Sequence, residues 1–269
     1  MRSCPPHLRR DPYSRWVGST WIFGGSEGIG LAVARRAAAR GDDVVVLSRS
    51  QSKLAAVREA APTILTRSVD VTDAGAVTDA VDRLVTDHGV PHLVVNTAGY
   101  ARPGWLEELP ADDVRAMVEV NLFGTINVAR AVVPHLTAAG RGTLVLTSSL
   151  AGLAGVFGYT VYSATKFGVV GFAEALRREI APSGVQVHVL CPPNTTTPGF
   201  ATENLHKPAE VLAAEEKAAT MTPDVVADEL LRSLRRKRFL IVPGRSNRFA
   251  AWAIRHLPAV VDRQLRRPS

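Results

Sequence analysis

The chain has 269 residues, 46% hydrophobic and 21% charged, which is enough apolar material for one large α/β core and too little charge for global disorder. Its net charge of +7 belongs to the two ends: residues 1–18 and 232–269 are strongly basic, and the stretch between them is mildly acidic. Attraction to an anionic partner, nucleic acid or a membrane surface, is therefore confined to the termini.

Residues 1–18, rich in Pro and Arg, read as a flexible basic leader with no apolar stretch behind it, so no secretory signal is expected. From residue 19 strand-like and helix-like segments alternate. STWIFGG, DVVVLSR, TILTRSVDV, HLVVNTAG, GTLVLTSS and VQVHVLCPP have the β-branched, apolar character of strands. GLAVARRAAAR, SKLAAVREAA, AGAVTDAVDRLVTDHG, a long region over about 111–138 and another over 160–181 have helical spacing. Strands separated by helices of this length imply parallel pairing. The runs VVVL, LVV and TLVL, apolar without alternation, fit a sheet covered on both faces. The expected fold is a single doubly wound α/β domain with a mostly parallel sheet flanked by helices, over 19–242. No window holds the ~18 uninterrupted apolar residues of a spanning helix. Cys4 and Cys191 lack disulfide or zinc-ligand spacing, which predicts a reduced, cytoplasmic protein.

GGSEGIG (Gly24–Gly30) falls between the first strand and the first helix. Glycine lets the backbone turn sharply and lets a ligand come close, because it has no Cβ. A helix starting near Gly28 aims free N–H groups above the loop, where a pyrophosphate fits. Gly24, Ser26, Gly28, Ile29 and Gly30 are the candidates for that contact. At the end of the second strand an acidic residue would bond a ribose 2′-hydroxyl. Ser48 and Arg49 stand there instead, and Asp42 and Asp43 lie at the strand's other end. A guanidinium, always charged and able to make forked hydrogen bonds, suits a 2′-phosphate. The expected cofactor is NADPH.

Of four tyrosines only Tyr162 has a lysine, Lys166, four residues later. On a helix the two lie one turn apart on one face. A phenol ordinarily titrates near 10, and a nearby ammonium lowers that value by stabilising the phenolate. A drop of about 3 units takes roughly 4 kcal/mol. A phenol so tuned hands a proton to a carbonyl oxygen as hydride reaches its carbon. LVLTSSLAG places Ser148 and Ser149 at the C-terminal edge of a strand, where open α/β sheets bind ligands.

GGSEGIG, NTAG (Asn96–Gly99), NLFGT (Asn121–Thr125), Ser149 and the Tyr162/Lys166 pair together resemble the short-chain dehydrogenase/reductase family, over about residues 19–242. The resemblance implies a Rossmann-type fold with Tyr162 as acid/base and Ser149 on the substrate oxygen. It implies that Lys166 holds the nicotinamide ribose and tunes Tyr162, and that Asn121 props a proton relay through water. Asp70 and Val71 would flank the adenine, Ala98 and Gly99 would meet the cofactor, and Asn96 would support the sheet beside it. Phe23 stands where the family usually has a threonine whose hydroxyl ties the loop to a neighbouring strand, so a less firmly tied loop is expected. A homo-oligomer with a small-molecule partner, and no nucleic acid, is also implied.

CPPNTTTPGFATENLHKP (Cys191–Pro208) resembles the 3-ketodihydrosphingosine reductase subgroup in its double proline, its Thr-Pro-Gly-Phe and its Glu-Asn…Lys-Pro pattern. That implies Thr195 and Thr197 on the nicotinamide carboxamide, a substrate lid over about 199–221, and a lipid ketone as substrate. Tyr159, with no lysine partner, reads as a pocket wall, and Phe200 and Leu205 as apolar contacts for the lipid tail. A reductase of another lipophilic ketone (a 3-oxoacyl thioester or a steroid) and a non-catalytic NADPH-binding regulator stay open. The regulator, however, would need no Ser149/Tyr162/Lys166 set. In 243–269, Phe249, Trp252, Ala253, Leu257, Val260, Val261 and Leu265 recur at helical spacing among Arg248, Arg255, Arg263, Arg266 and Arg267. This fits an amphipathic helix in peripheral contact with a membrane surface, kinked at Pro258, and equally a helix packed on protein. Glu215–Glu216 reads as a solvated face and Cys191 as a buried small residue.

Overall fold

The structure, a computed structural model, describes residues 18–216 and 218–265. The expected leader, apart from Gly18, lies outside the described residues, as do Arg266 and Arg267. Strands β1 (Ser19–Phe23), β2 (Asp43–Ser48), β3 (Leu65–Ser68), β4 (Leu93–Asn96), β5 (Thr143–Thr147), β6 (Gln186–Leu190) and β7 (Leu240–Ile241) form one sheet. Its order is β3-β2-β1-β4-β5-β6-β7, and every pairing is parallel. Successive side chains of a strand point to opposite faces, and the sheet divides its apolar residues accordingly. Trp21, Phe23, Val45, Leu47, Val94, Leu144 and Leu146 pack into one core. Ile22, Val44, Val46, Val95 and Val145 pack into the other.

The chain leaves β1 toward β2 and β3 on one side and returns to β4 on the other. That reversal opens a crevice above the C-terminal ends of β1 and β4, where ligands bind in such sheets. The helices that frame it are α1 (Gly28–Ala39), α2 (Gln51–Ala60), α3 (Ala74–His88), α4 (Ala111–Val118), α5 (Gly124–Ala138) and α6 (Thr160–Glu179). The expected 111–138 helix is continuous in direction but passes through a π-helical turn, Glu119–Phe123, which carries Asn121. By length and composition Ala111–Ala138 is apolar enough to cross a membrane, yet Val128, Val132 and Leu136 are spent on the sheet core.

After β6 come two short helices, α7 (Pro198–Asn204) and α8 (Ala209–Glu215), over the expected lid. Thr197 caps α7 by accepting from Phe200 N at 3.0 Å, the usual threonine service at a helix start. Then follow α9 (Pro223–Leu234), α10 (Arg245–His256) and α11 (Pro258–Leu265). Arg36 of α1 reaches both Asp224 and Asp228 of α9, tying the first helix to the one that follows the lid. The expected break at Pro258 falls between α10 and α11.

Candidate active site

The loop after β1 is shaped by contacts that only glycine allows. Gly24 has φ +73, and a Cβ there would sit 2.5 Å from Ala98 N. A Cβ on Gly30 would run into the Thr97 hydroxyl and lie 2.6 Å from the Gly24 carbonyl. Above Gly28 (φ +54) the nearest group is the Thr197 methyl, 3.0 Å from where a Cβ would be. The glycines thus add no side chain of their own over the start of α1, and the cradle they leave, bordered by Thr197, fits the phosphates of a dinucleotide. The loop is firmer than Phe23 suggested. The Thr97 hydroxyl donates to the Phe23 carbonyl at 2.9 Å, and Gly24 N donates to Leu47 O at 2.8 Å. Ser26 Oγ donates to Ser48 Oγ at 2.9 Å. The tie comes from the neighbouring strands, so Phe23 is free to pack in the core.

Gly24, Ser26, Gly28, Ile29, Gly30, Ser48, Arg49, Asp70, Val71, Ala98, Gly99, Thr195 and Thr197 all border one cleft of about 810 Å³. The Arg49 side chain is 69% exposed and 4.0 Å from Asp70, so it can move onto an anion. Two expected residues stand behind the cleft wall. Asn96 accepts from Ala98 N at 3.1 Å and donates to Thr125 Oγ1 at 3.0 Å, which is the supporting position expected of it. Asn121 is buried and clamps the backbone of Tyr100, accepting from its N and donating to its O, each at 2.9 Å. It also donates to Thr165 Oγ1 at 3.2 Å, which couples the π-helical turn to α6.

Ser149, Tyr162 and Lys166 meet at the cleft floor. Ser149 follows β5, and its Oγ accepts from Ala151 N at 3.1 Å. Lys166 is buried, donates to the Thr147 carbonyl at 3.1 Å, and stands 5.5 Å from the centre of the Tyr162 ring. The spacing argument is borne out in position and corrected in electrostatics. Burial pushes the Tyr162 phenol above its ordinary 10, the Glu203 carboxylate pushes the same way, and a hydrogen bond with Ser149 pulls it down. Burial also lowers Lys166, to about 8. Desolvation penalises the charged form of each, and it outweighs the attraction that the helical spacing promised.

Tyr159 is the wall expected of it, its ring 5.9 Å from that of Tyr162, but it does more. Its hydroxyl lies 2.5 Å from Glu203 Oε1 and 3.0 Å from Glu215 Oε1. Lys207, its side chain wholly buried, donates to Glu215 Oε2 at 2.5 Å and to Asn204 Oδ1 at 2.6 Å. It also sits 4.1 Å from the centre of the Phe200 ring, a cation–π distance. Glu215 is thus not part of a solvated face, because an oppositely charged lysine holds it against the lid. Phe200 borders the cleft as expected. Leu205 does not: it lies past the end of α7, is 79% exposed, and borders a separate hollow beside Arg102 and Trp105. Glu203 received no role from the sequence, although it stands in the Glu-Asn…Lys-Pro pattern.

The C-terminal helices close one side of the cleft with Ala250, Ala253, Ile254, Val261 and Leu265. Phe249 borders the cleft as well yet stays largely exposed, as do Trp252 and Val260, and Phe249 and Trp252 stack at 5.7 Å.

The short chain dehydrogenase family profile matches residues 19–208. The chain is similar to the 3-dehydrosphinganine reductase of Danio rerio, at 35% identity over 215 residues, which cover 77% of this chain and 65% of that one. It is 37% identical over 229 residues to a 3-dehydrosphinganine reductase of Arabidopsis thaliana, covering 82% of this chain and 68% of the relative. The chain thus spans about two thirds of the length of these relatives. A solved short-chain dehydrogenase from Streptomyces avermitilis superposes with a TM-score of 0.78 at 25% identity, over 92% of this chain and 94% of that one. A short-chain dehydrogenase/reductase from Burkholderia phymatum shares the fold, with a TM-score of 0.80 at 24% identity over 94% and 98% of the two chains. The glycine cradle, the serine–tyrosine–lysine floor and the profile match over residues 19–208 agree: the chain belongs to the short-chain dehydrogenase family.

Proposed function

We propose that the protein reduces the C3 ketone of 3-ketodihydrosphingosine to dihydrosphingosine, using NADPH. The observation that carries this reading is the similarity to reductases named for that substrate. Two features of the cleft support it: the Ser149/Tyr162/Lys166 floor, and an apolar side built by Phe200, Ala253, Ile254 and Val261 that suits a long alkyl tail. Arg49 at the end of β2, where no acidic residue stands, supports a 2′-phosphate.

Ser149 Oγ accepts from Ala151 N, and its one O–H, which faces the Tyr162 oxygen, turns to donate to the ketone oxygen and fix its position. Tyr162, kept protonated by burial, donates its proton to that oxygen as negative charge develops there. A reduced nicotinamide, when bound, supplies the hydride to the carbonyl carbon. Lys166 holds positive charge beside the phenol, and that charge stabilises the phenolate the proton leaves behind. Asn121 keeps the Tyr100 loop and α6 in register through its three hydrogen bonds. Steady-state kinetics on a panel of ketones, followed by NADPH absorbance, tests the reading. The sphingoid ketone is expected to exceed 3-oxoacyl thioesters and steroid ketones at least tenfold in kcat/KM, about 1.4 kcal/mol. Equal or lower efficiency on the sphingoid ketone overturns it.

The exposed Phe249, Trp252 and Val260, set among Arg248, Arg255 and Arg263, support peripheral contact of α10 and α11 with an anionic bilayer, where such a substrate resides. Salt-sensitive cosedimentation with anionic vesicles, lost on deleting residues 246–269, is the expected result; no binding by the intact chain refutes it.

A further inference from the structure

The proposed substrate is an amino ketone, with an ammonium on the carbon next to the carbonyl. Whatever holds the ammonium must therefore border whatever holds the oxygen. Glu203, on α7, borders the cleft together with Ser149, Tyr159 and Tyr162, and its charge is felt at the Tyr162 phenol. Its partners leave it undercompensated. Lys207 bonds Glu215 at 2.5 Å and stands 3.4 Å from Glu203. A phenol O–H donates to one acceptor at a time, and the shorter contact, 2.5 Å, assigns Tyr159 to Glu203. The cluster thus holds two carboxylates, one ammonium and a neutral phenol. Its uncompensated charge falls on the carboxylate bound by the phenol. A buried carboxylate without a matched cation is costly, and a cation arriving with the substrate offsets that cost.

We propose that Glu203 binds the ammonium next to the substrate carbonyl and so selects amino ketones over ketones of equal chain length. This rests on the substrate reading above. Tyr159 is its positioning residue: the phenol fixes the carboxylate from the residue that immediately precedes the helix presenting Tyr162. Glu215 takes up Lys207, which leaves Glu203 to the substrate.

The test compares 3-ketodihydrosphingosine, its N-acetyl derivative and the 2-deamino ketone of the same length, with wild type, Glu203→Gln and Glu203→Asp. Glutamine keeps an oxygen for Tyr159 and removes only the charge. Wild type is expected to favour the amino ketone over both uncharged analogues at least tenfold in kcat/KM. In Glu203→Gln that ratio should fall below about threefold, chiefly through KM for the amino ketone. Glu203→Asp, with its charge on a shorter arm, should give an intermediate ratio, and it supplies the test if the glutamine variant does not fold. A ratio that survives loss of the charge, or equal losses on all three ketones, overturns the proposal and leaves the substrate reading standing. If wild type reduces none of the three, the substrate reading itself falls.

Discussion

Replacing Lys207 by methionine isolates the energetics of the lid. The lysine side chain is wholly buried, and those of Glu203 and Glu215 are 16% and 20% exposed. Removing one partner of a buried ion pair costs about 3–5 kcal/mol, because the other charge is left without compensation. The partial exposure of both carboxylates admits some water and puts the expected loss at the lower end, about 3 kcal/mol. At roughly 2–4 °C per kcal/mol for a chain of this size, the unfolding temperature should fall by about 6–12 °C. If the lid opens without the core, limited proteolysis within residues 198–216 should accelerate instead. The pH dependence has a definite sign. Burial raises Glu203 above its ordinary 4.5, so the folded state holds that proton more tightly than the unfolded state. Its unfavourable contribution is absent at low pH and grows as pH rises through the raised value. An orphaned carboxylate takes up a proton more readily still. The deficit of Lys207→Met should therefore be larger at pH 8 than at pH 5, and adding Glu215→Gln should restore part of it. A variant as stable and as protease-resistant as wild type at pH 8, or a deficit that grows toward pH 5, refutes the assignment of Lys207 as the clasp.

Tyr162→Phe keeps the ring packed but removes the proton donor. Turnover should drop at least about 100-fold while cofactor affinity by fluorescence titration changes little, and a rate above a tenth of wild type contradicts the proposed role. Arg49→Asp removes the partner of a 2′-phosphate and adds a repelling charge. The NADPH to NADH ratio of kcat/KM should fall at least tenfold, about 1.4 kcal/mol, whereas an unchanged ratio marks Arg49 as a surface residue. The pH profile of kcat/KM for reduction should be level near neutrality and decline above about 8, where Lys166 loses its proton and with it the charge that supports the phenolate. Tyr162, pushed above 10, should add no descending limb below that, and a rate that rises between pH 7 and 9 would refute this order.

The central strands were legible because a sheet covered on both faces leaves uninterrupted apolar runs, and VVVL, LVV and TLVL became β2, β4 and β5. Strand β7 is only two residues, Leu240 and Ile241, too short for any periodicity to register. Helix α9 went unread although its start carried a signal: Thr222 accepts from Val225 N, followed by Pro223 and Asp224 in the first turn. Leu205 was placed by hydrophobicity alone. The helix before it ends at Asn204, and a residue beyond a helix end no longer follows the face of that helix.

The site divides the same way, between what local spacing determines and what distant packing decides. Four residues on a helix bring Lys166 to within 5.5 Å of the Tyr162 ring, and that proximity was readable from Tyr-x-x-x-Lys. The sign of the shift was not, because desolvation depends on everything that closes over the pair, and Glu203 arrives from the lid, forty-one positions further on. Glu215 shows the same dependence. Beside Glu216 it looked like one of two solvated acids, since like-charged neighbours usually face water. Its counterion, Lys207, lies in the turn between α7 and α8, outside the helix that carries Glu215, so no helical spacing links the two. A buried charge is visible in sequence only when its partner sits at a regular spacing, and here the partner is supplied by the fold of the lid. The Glu-Asn…Lys-Pro pattern that marked the subgroup by resemblance therefore has a local physical meaning: it places Glu203, Asn204 and Lys207 in one cluster, where two carboxylates, Glu203 and Glu215, border the cleft and share one lysine.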